Sequence, residues 1–320
     1  MRTLRLEALA ERKSEVVAAN STDFVDENPI GNELTQNLDI LSQLEGRLFP
    51  KPGHPVVMAV ANQKGGVGKT TTTVNMAAAL SLGGWNVVVV DCDPQGNASS
   101  ALGIAHPSGT LSTYDVLLGA ETLAECLQPC PDLERVLVCP STLDLAGAEV
   151  EFASIPGREN LLGTAIDRFV SEHPEIDAVL LDCPPSLGIL TLNAFVSAHG
   201  VLIPIQTEYY ALEGLSMLIG TVQRIREALQ PNLQIFGILL TMVDKRTRLA
   251  NEVAKEVRSH FNDVVLQTEI PRAVRVSEAP SYGQTVITYD PRGTGAVAYR
   301  LAALELAERL SNLMRKRNNG

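Results

Sequence analysis

A segment rich in lysine and glycine lies between an apolar run and an alanine-rich stretch. The run Val56–Ala61 is typical of a buried strand, and Thr70–Leu82 is typical of a helix. A strand, a glycine-rich turn and a helix in this order form the setting of a phosphate-binding loop, whose backbone N–H groups face phosphate oxygens. Lys69 can reach the β- and γ-phosphates, and the Thr70 hydroxyl can ligate Mg²⁺. The predicted nucleotide-contacting residues of the loop are Lys64, Gly65, Gly66, Val67, Gly68, Lys69, Thr70 and Thr71.

The loop departs from the pattern G-x-x-x-x-G-K-[ST] at its first position, which Gln63 occupies. A second lysine, Lys64, stands at the start of the loop. Two lysines exceed what one triphosphate held by one chain needs. We therefore expect Lys64 to reach a phosphate across a dimer interface.

Acidic residues end two further apolar runs. Asp91 and Asp93 follow Val87–Val90, and Asp182 ends a later run. Because the carboxyl ends of parallel strands form the mouth of an open α/β sheet, we expect these carboxylates near the phosphate loop. Asp182 is predicted to hold Mg²⁺ through a bound water together with Thr70. Asp93 could accept a proton or hold a metal-bound water, whereas Asp91 could instead cap a helix.

Apolar runs alternate with longer amphipathic or alanine-rich stretches from Pro55 onward. This alternation predicts an α/β fold, with a mostly parallel twisted sheet and helices on both faces. The predicted strands are Val56–Ala61, Val87–Val90, Val136–Cys139, Ala178–Leu181, Gly200–Ile205, Ile235–Thr241 and Val264–Gln267. The predicted helices are Thr70–Leu82, Glu159–Ser171, Leu212–Leu229, Thr247–Phe261 and Gly295–Leu313.

The first 54 residues differ in pattern from the rest and are interpreted as an N-terminal extension. Leucines at spacings of three and four predict a short helix over Glu33–Leu48. Pro50–Pro55 is dense in proline and glycine, which is typical of a linker. Residues 55–320 are predicted to form one α/β domain.

Composition excludes several protein classes. The chain has 320 residues and a formal net charge of −11. Since no run of about 18 apolar residues occurs, a transmembrane helix is not expected, and the N-terminus has no apolar segment typical of a secretory signal. Five widely spaced cysteines do not form a disulfide framework, which favours a reducing cytoplasm.

The motifs together resemble those of the ParA/MinD ATPases, whose phosphate loop is a deviant Walker A motif. The resemblance runs from about residue 56 to about residue 310. Within the family, the sequence is similar to the short chromosomal ParA (Soj-like) branch. The segments that support it are Lys64–Thr71, Asp91–Asn97, Leu181–Ser186, Glu208–Gly214, Ile270–Val274, Ser277–Pro280 and Tyr289–Arg292.

The resemblance implies a P-loop NTPase of the deviant Walker A type that binds ATP and Mg²⁺. It implies that Lys64, Lys69 and Asp93 are the catalytic residues, and that Thr70, Asp93 and Asp182 hold the metal. It also implies weak ATPase activity that a partner stimulates. The adenine would lie against Pro271, Arg272 and Ala273, although relatives often have Asn at the position of Ala273.

The charge of the chain is unevenly distributed. Residues 224–320 contain 15 Lys and Arg against 10 Asp and Glu, whereas residues 1–223 contain 11 against 27. Such asymmetry is a hint of polyanion binding, although a solvated basic helix face would also produce it. With the resemblance added, we expect phosphate contacts that are independent of DNA sequence. The predicted DNA-contacting residues are Arg224, Arg226, Lys245, Arg246, Arg248, Lys255 and Arg258.

The resemblance further implies an ATP-dependent homodimer that binds double-stranded DNA, acts with a ParB-type centromere-binding protein and lies in the cytoplasm on the nucleoid. A MinD-like, membrane-associated regulator of cell division is the alternative. The C-terminal segment Leu310–Gly320 has a thin apolar face without Trp or Phe, so stable membrane binding is not expected. A third possibility is an ATP-dependent ligase of small molecules, but no residues suggest its second substrate pocket.

Overall fold

A computed structural model describes residues 29–261 and 263–318. The chain divides into two compact units between Glu45 and Gly46. The described part of the first unit contains one helix, α1 (Pro29–Leu44). This helix ends four residues before the predicted Leu48, where Gly46 adopts a left-handed φ of 67° that favours glycine.

The second unit contains a seven-stranded sheet in the order β3-β4-β2-β5-β1-β6-β7. All neighbouring strands are parallel except the edge pair β3 and β4, which is antiparallel. The predicted mostly parallel sheet is therefore confirmed. The strands are β1 (Val56–Val60), β2 (Val87–Asp91), β3 (Gln128–Pro129), β4 (Val136–Cys139), β5 (Ala178–Asp182), β6 (Gly200–Gln206) and β7 (Gln234–Thr241).

Helices follow most of the strands, and the five long helices predicted in this unit are present with shifts of five residues or fewer at their ends. Four 3₁₀ turns also occur in the described residues: Leu143–Gly147, Phe152–Ser154, Arg158–Asn160 and Ala279–Tyr282. The helices are α2 (Lys69–Leu82), α3 (Asn97–Ala101), α4 (Thr113–Leu118), α5 (Leu123–Cys126), α6 (Ala148–Glu151), α7 (Leu161–Glu172), α8 (Ile189–Ser197), α9 (Ala211–Ala228), α10 (Arg248–Phe261), α11 (Val274–Glu278), α12 (Val286–Tyr289) and α13 (Thr294–Asn318).

Both faces of the sheet are covered. Val57 and Ala59 of β1 belong to a buried cluster with residues of α7, α8, α9 and α10. Met58 and Val60 point to the opposite face because side chains alternate along a strand, and they are also buried. On that face α2 packs against α13 and contacts the central strands. Burial on both sides explains why the strand sequences are continuous apolar runs.

One strand prediction was wrong, and one short strand was missed. Val264–Gln267 is not a strand, because only Val265 forms a bridge, with Ile238 of β7. The edge strand β3 was missed because it has only two residues. One of them is Pro129, and proline can occupy an edge strand but not an internal one.

Phe49, which precedes the predicted linker, and Lys51 within it make specific contacts within the second unit. The N–H of Phe49 donates to the carbonyl of Gly83 at 2.9 Å, and Phe49 is buried. Lys51 Nζ donates to the Asp177 carboxylate at 2.7 Å. The division of the chain at 54/55 stays a prediction.

The carboxyl ends of three central strands reach the same level of the sheet. Asp182 of β5 is in register with Val60 of β1 on one side and with Asp91 of β2 on the other. The turn after β1 and the carboxylates after β2 and β5 therefore meet at one edge. Among the described residues, no helix is long and apolar enough to cross a membrane.

Candidate functional site

The phosphate-loop candidate connects β1 to α2 as predicted. Gly66 and Gly68 have φ values of 74° and 88°, a conformation that side chains rarely tolerate. Gly68 lies immediately before Lys69, the first residue of the helix. The Thr241 hydroxyl at the end of β7 donates to the carbonyl of Val67 at 2.8 Å. The loop is thus fixed by its own glycines and by a strand two positions away in the sheet.

Lys69 is buried at the start of α2. Its Nζ donates to the carbonyl of Lys64 at 3.3 Å, so the side chain bends back over the loop. Burial lowers the pKa of Lys69, while the nearby carboxylates of Asp182 and Asp93 oppose that shift. A buried ammonium with few oxygen partners is well suited to bind an anion.

The carboxylate of Asp182 lies beneath the loop and accepts two hydroxyl hydrogen bonds. Thr70 Oγ1 donates to one oxygen at 2.7 Å, and Thr73 Oγ1 donates to the other at 2.8 Å. Burial raises the pKa of Asp182 to about 7, and the negative charge of Asp91 adds to this shift. The predicted pair of metal-binding groups is thus in direct contact. Thr73 was not predicted, although its position one turn after Lys69 places it on the same side of the helix.

Asp91 and Asp93 have different surroundings. Asp91 is fully buried and accepts hydrogen bonds from the N–H and the hydroxyl of Ser99, at 2.9 and 2.7 Å. Burial raises the pKa of Asp91 to about 6. Asp93 Oδ1 accepts the N–H of Gln95 at 3.0 Å. Asp91 therefore holds α3 in place, which was the alternative considered for it, whereas Asp93 lies on the wall of a cavity.

A cavity of about 690 Å³ opens over the loop. Its walls combine the loop, the segment after β2, the turn after β5 and the end of β7. Sequence reasoning singled out no segment that contains Leu145, Ala146, Leu190 or Met242, so their contributions were missed. The lining residues are Gly65, Gly66, Gly68, Lys69, Thr70, Thr71, Asp93, Pro94, Gln95, Asn97, Leu145, Ala146, Pro184, Pro185, Ser186, Leu190 and Met242.

Lys64 is exposed at the rim of the loop. Its Nζ forms an ion pair with the Glu208 carboxylate, which follows β6. The side chains are 42% and 45% exposed, so the pair is accessible to solvent. Lys64 is therefore held by its own chain in this structure, and its predicted role across a dimer interface stays a prediction.

The predicted adenine segment lies beside the cavity. Val243 forms a parallel bridge with Pro271, and the N–H of Arg272 donates to the carbonyl of Val243 at 3.2 Å. Pro271, Arg272 and Ala273 do not line the cavity, whereas Met242, one position before Val243, does. Their contact with a base stays a prediction.

The predicted DNA-contacting residues lie on α9, on α10 and in the turn after β7, and the two helices contact each other. Several pair with acids: Lys245 with Glu269, Arg246 with Asp244, and Arg248 with Glu252. The side chains of these three bases are at least 78% exposed.

Arg258 differs from the other bases because it has an internal role. Its guanidinium donates to the carbonyls of Leu266 and Gln267 at 2.9 and 3.1 Å. It also pairs with Glu269 at 3.1 Å, and its side chain is 25% exposed. These partners occupy most of its donors, and we leave Arg258 out of the DNA surface proposed below.

Comparison with known sequences identifies relatives over most of the chain. Residues 56–235 match the family described as AAA domain. The sporulation initiation inhibitor protein Soj of Bacillus subtilis is 46% identical over 251 residues, which is 78% of this chain and 98% of that protein. The chromosome partitioning protein ParA of Myxococcus xanthus is also 46% identical, over 79% of this chain and 88% of its own.

Solved structures of the same fold include a synthase and a cell division ATPase. A cobyrinic acid a,c-diamide synthase from Mycobacterium smegmatis, with bound ADP and magnesium, is 36% identical with a TM-score of 0.67 over 78% of this chain and 92% of its own. The cell division ATPase MinD of Pyrococcus furiosus is 28% identical with a TM-score of 0.63 over 81% of this chain and 99% of its own. The resemblance and fold class inferred from the motifs are confirmed. The chain belongs to the ParA/MinD family of P-loop ATPases, together with the Soj and ParA partitioning proteins.

Proposed function

We propose that this chain is an ATP-dependent, dimerising partition ATPase that binds DNA without sequence preference. With a ParB-type partner it would segregate chromosome or plasmid DNA. The main support is the hydrogen bond between Thr70 and Asp182 beneath a loop with two lysines. The names of the relatives, chromosome partitioning proteins at about 45% identity, supply the biological process.

The residues present fit ATP and Mg²⁺. The cavity of about 690 Å³ is within the usual size range of small-ligand sites. A threonine hydroxyl and a carboxylate are hard oxygen ligands, which Mg²⁺ prefers, and Mg²⁺ usually keeps several waters. Thr70 and Asp182 would hold the metal, Asp93 would support its waters, and Lys69 with the loop N–H groups would hold the phosphates. The relative from Mycobacterium smegmatis was solved with ADP and magnesium, which supports this assignment.

The proposed reaction is the hydrolysis of ATP to ADP and phosphate. When bound, Mg²⁺ supplies charge neutralisation at the phosphate oxygens. Asp93 orients the attacking water and accepts its proton, because its carboxylate lies on the cavity wall beside Lys69. Lys69 stabilises negative charge that develops on the transferred phosphoryl group. Basal activity is proposed to be weak and to rise when the partner binds.

Lys64 is proposed to complete the site of a second copy. An exposed ammonium at the rim of the loop can leave its Glu208 partner at little cost, since exposed ion pairs contribute about 0–1 kcal/mol. Dimerisation would then double any DNA surface on each protomer. The proposed surface consists of Arg224, Arg226, Lys245, Arg246, Arg248 and Lys255. Such a protein is expected in the cytoplasm on the nucleoid, without stable membrane binding.

Co-sedimentation with DNA and with liposomes, each with and without ATP and Mg²⁺, tests this function. We expect ATP to increase the fraction bound to unrelated duplexes and to leave the liposome fraction unchanged. ATP-dependent recovery with anionic liposomes and not with DNA would instead support the MinD-like alternative.

A ligase of small molecules is the other candidate, because one related structure is named a diamide synthase. A ligase of this kind couples ATP hydrolysis to the formation of an amide bond between a carboxylic acid and an amino donor. Steady ATP hydrolysis that requires both of these substrates and is unaffected by DNA would contradict the partition function.

A further inference from the structure

The buried carboxylate of Asp91 joins α3 to the segment that follows β2. Its Oδ1 accepts the N–H of Asp93 at 3.2 Å. Its Oδ2 accepts both the N–H and the hydroxyl of Ser99, at 2.9 and 2.7 Å. Asp91 and Ser99 are fully buried, whereas Asp93 lines the cavity. The carboxylate therefore connects a residue in the interior to the backbone of a residue on the cavity wall.

The hydroxyl of Ser99 donates in one direction only. Its oxygen accepts the N–H of Ser141 at 3.1 Å, and an ionised carboxylate accepts hydrogen bonds without donating any. The hydroxyl hydrogen must therefore point at the Asp91 carboxylate. Hydrogen bonds to an ionised group are roughly twice as strong as neutral ones, so this bond is well suited to hold a carboxylate in one orientation.

Ser141 extends this hydrogen-bond chain to another part of the cavity wall. It lies two residues after the end of β4, and Leu145 and Ala146 soon after it line the cavity. A β-carbon placed on Gly96 would lie 3.2 Å from the carbonyl oxygen of Ser141, so the two segments are in close contact. Ser99 is thus bonded both to the segment after β4 and to the carboxylate at the end of β2.

The hydrogen bonds that shape the turn at Asp93 are local. Its Oδ1 accepts the N–H of Gln95 at 3.0 Å, and its carbonyl accepts the N–H of Gly96 at 2.9 Å. The Asp91 carboxylate, two residues away, accepts the N–H of Asp93. A carboxyl group can rotate about its last bond unless its oxygens have partners. The two donors from Ser99 on Oδ2 fix that rotation and leave Oδ1 directed at the N–H of Asp93.

We infer that Ser99 is a positioning residue for ATP hydrolysis that acts on Asp93 through Asp91. Its hydroxyl sets the orientation of the Asp91 carboxylate, and the carboxylate in turn places the backbone of Asp93. Ser99 itself does not line the cavity, so it acts without touching the substrate. The inference rests on the proposed function, in which Asp93 orients the attacking water.

Removal of the Ser99 hydroxyl tests this role. We expect Ser99→Ala to lower kcat for phosphate release about tenfold, since displacement of a catalytic group by about 1 Å can cost about 10²-fold. The KM for ATP, and the calorimetric affinity for ADP with Mg²⁺, should stay within about twofold because the phosphate loop is unchanged. Ser99→Thr keeps a hydroxyl and should recover most of kcat.

The matched control removes another buried serine hydroxyl. Ser81, near the end of α2, donates to the carbonyl of Ala78 at 2.8 Å and does not line the cavity. Ser81→Ala should change neither kcat nor the nucleotide affinity. Equal losses of kcat in Ser81→Ala and Ser99→Ala would show a general effect of buried hydroxyls and would overturn the inference.

A double-mutant cycle shows whether the effect passes through Asp93. In the Asp93→Ala background, Ser99→Ala should lower the remaining rate by less than about twofold, because the group that it positions is already absent. A further tenfold loss there would overturn the inference. An unchanged kcat in Ser99→Ala would overturn it while the proposed role of Asp93 stands. Hydrolysis by Asp93→Ala at the wild-type rate, or a wild-type protein that does not hydrolyse ATP, would overturn both.

Discussion

Asp93 and Lys69 both line the cavity, but substitution of each is expected to affect a different step. Asp93→Ala should still bind ATP and Mg²⁺ while hydrolysis falls by about 10²–10⁴-fold, because the general base is lost and the phosphate loop remains. Nucleotide affinity by calorimetry and phosphate release measure the two effects. Lys69→Ala is the comparison variant and should lose nucleotide binding itself. Phosphate release at the wild-type rate from Asp93→Ala would exclude the proposed role.

The buried carboxyl of Asp182 makes stability depend on pH in the nucleotide-free protein. Its pKa is about 7 in the fold against an ordinary value of 3.8, so the folded state binds more protons between these values. Stability from this group is therefore fully present below pH 3.8 and is lost as the pH rises through 7. We expect the melting temperature to fall from about pH 5 to about pH 8, and Asp182→Asn to flatten this fall.

Two comparisons make the pH experiment specific. Asp263→Asn changes an exposed carboxyl and should leave the pH dependence as in wild type. Mg²⁺ together with ADP should restore stability most at about pH 8, because a divalent cation favours the ionised carboxylate. Equal slopes for wild type and Asp182→Asn would show that another group is responsible.

At the scale of elements, the long strands and helices followed from the sequence because each has a single strong pattern. The parallel strands are buried on both faces, so their sequences are continuous apolar runs. The start of α2 is marked by the glycines of the loop that precedes it. Val264–Gln267 has the same composition as a strand, but only Val265 pairs. Its neighbouring carbonyls, Leu266 and Gln267, accept from Arg258 instead. A side-chain partner on the preceding helix leaves no signal in the apolar run itself.

The candidate site was predictable to different extents. Thr70 and Asp182 were predicted as partners because motif spacing reports where a loop and a strand end meet. Met242 and Leu145 were missed since apolar residues near a ligand have the same composition as core residues. The pairing of Lys64 with Glu208 joins residues far apart in sequence, and only the fold brings them together.

Arg258 is expected to stabilise the segment after α10 and not to bind DNA. Arg258→Ala should lower the free energy of unfolding by about 2 kcal/mol, because two carbonyls and the Glu269 carboxylate lose a charged donor. Urea unfolding measures this loss. Lys255→Ala, at an exposed base of the same helix, should change stability by less than about 0.5 kcal/mol. A stable Arg258→Ala variant with weakened DNA binding would return Arg258 to the DNA surface.

At the scale of the whole molecule, dimerisation requires Lys64 to exchange partners. Lys64→Ala should bind ATP nearly as wild type does but should not dimerise with ATP, as measured by light scattering over a range of protein concentrations. Glu208→Gln should dimerise at up to about fivefold lower concentration, because an exposed ion pair of about 0–1 kcal/mol no longer holds Lys64. A Lys64→Ala variant that still forms the ATP-dependent dimer would exclude the role across the interface.

DNA binding by an acidic protein depends on how its bases are distributed. The chain has a net charge of −11, yet residues 224–320 have five more bases than acids. In the proposed surface, Lys245, Arg246 and Arg248 form ion pairs, and their side chains are at least 78% exposed. Their acidic partners already offset part of the local charge, so a single protomer is expected to bind DNA weakly. Pairing of two protomers would double the surface without any movement of the bases within it.

Reversal of Lys245, Arg246 and Arg248 to Glu should therefore weaken binding to all duplexes alike. Each lost phosphate contact should lower the slope of log affinity against log salt by roughly 0.9. ATP binding should be unchanged, because none of the three lines the cavity. Anisotropy titrations with ATP, at several salt concentrations and on unrelated duplexes, measure both the affinity and the slope.

The control for this experiment has the same change in charge at three exposed arginines of the acidic half, Arg47, Arg135 and Arg168. Long-range repulsion alone would weaken DNA binding equally in both triple variants. The loss of affinity would then shrink in both variants as salt screens the charges. Loss of direct contacts would weaken only the Lys245, Arg246 and Arg248 variant and would lower its salt slope. Unchanged affinity in that variant would place the DNA surface elsewhere. The next candidates would then be Arg224, Arg226, Arg272 and Arg275.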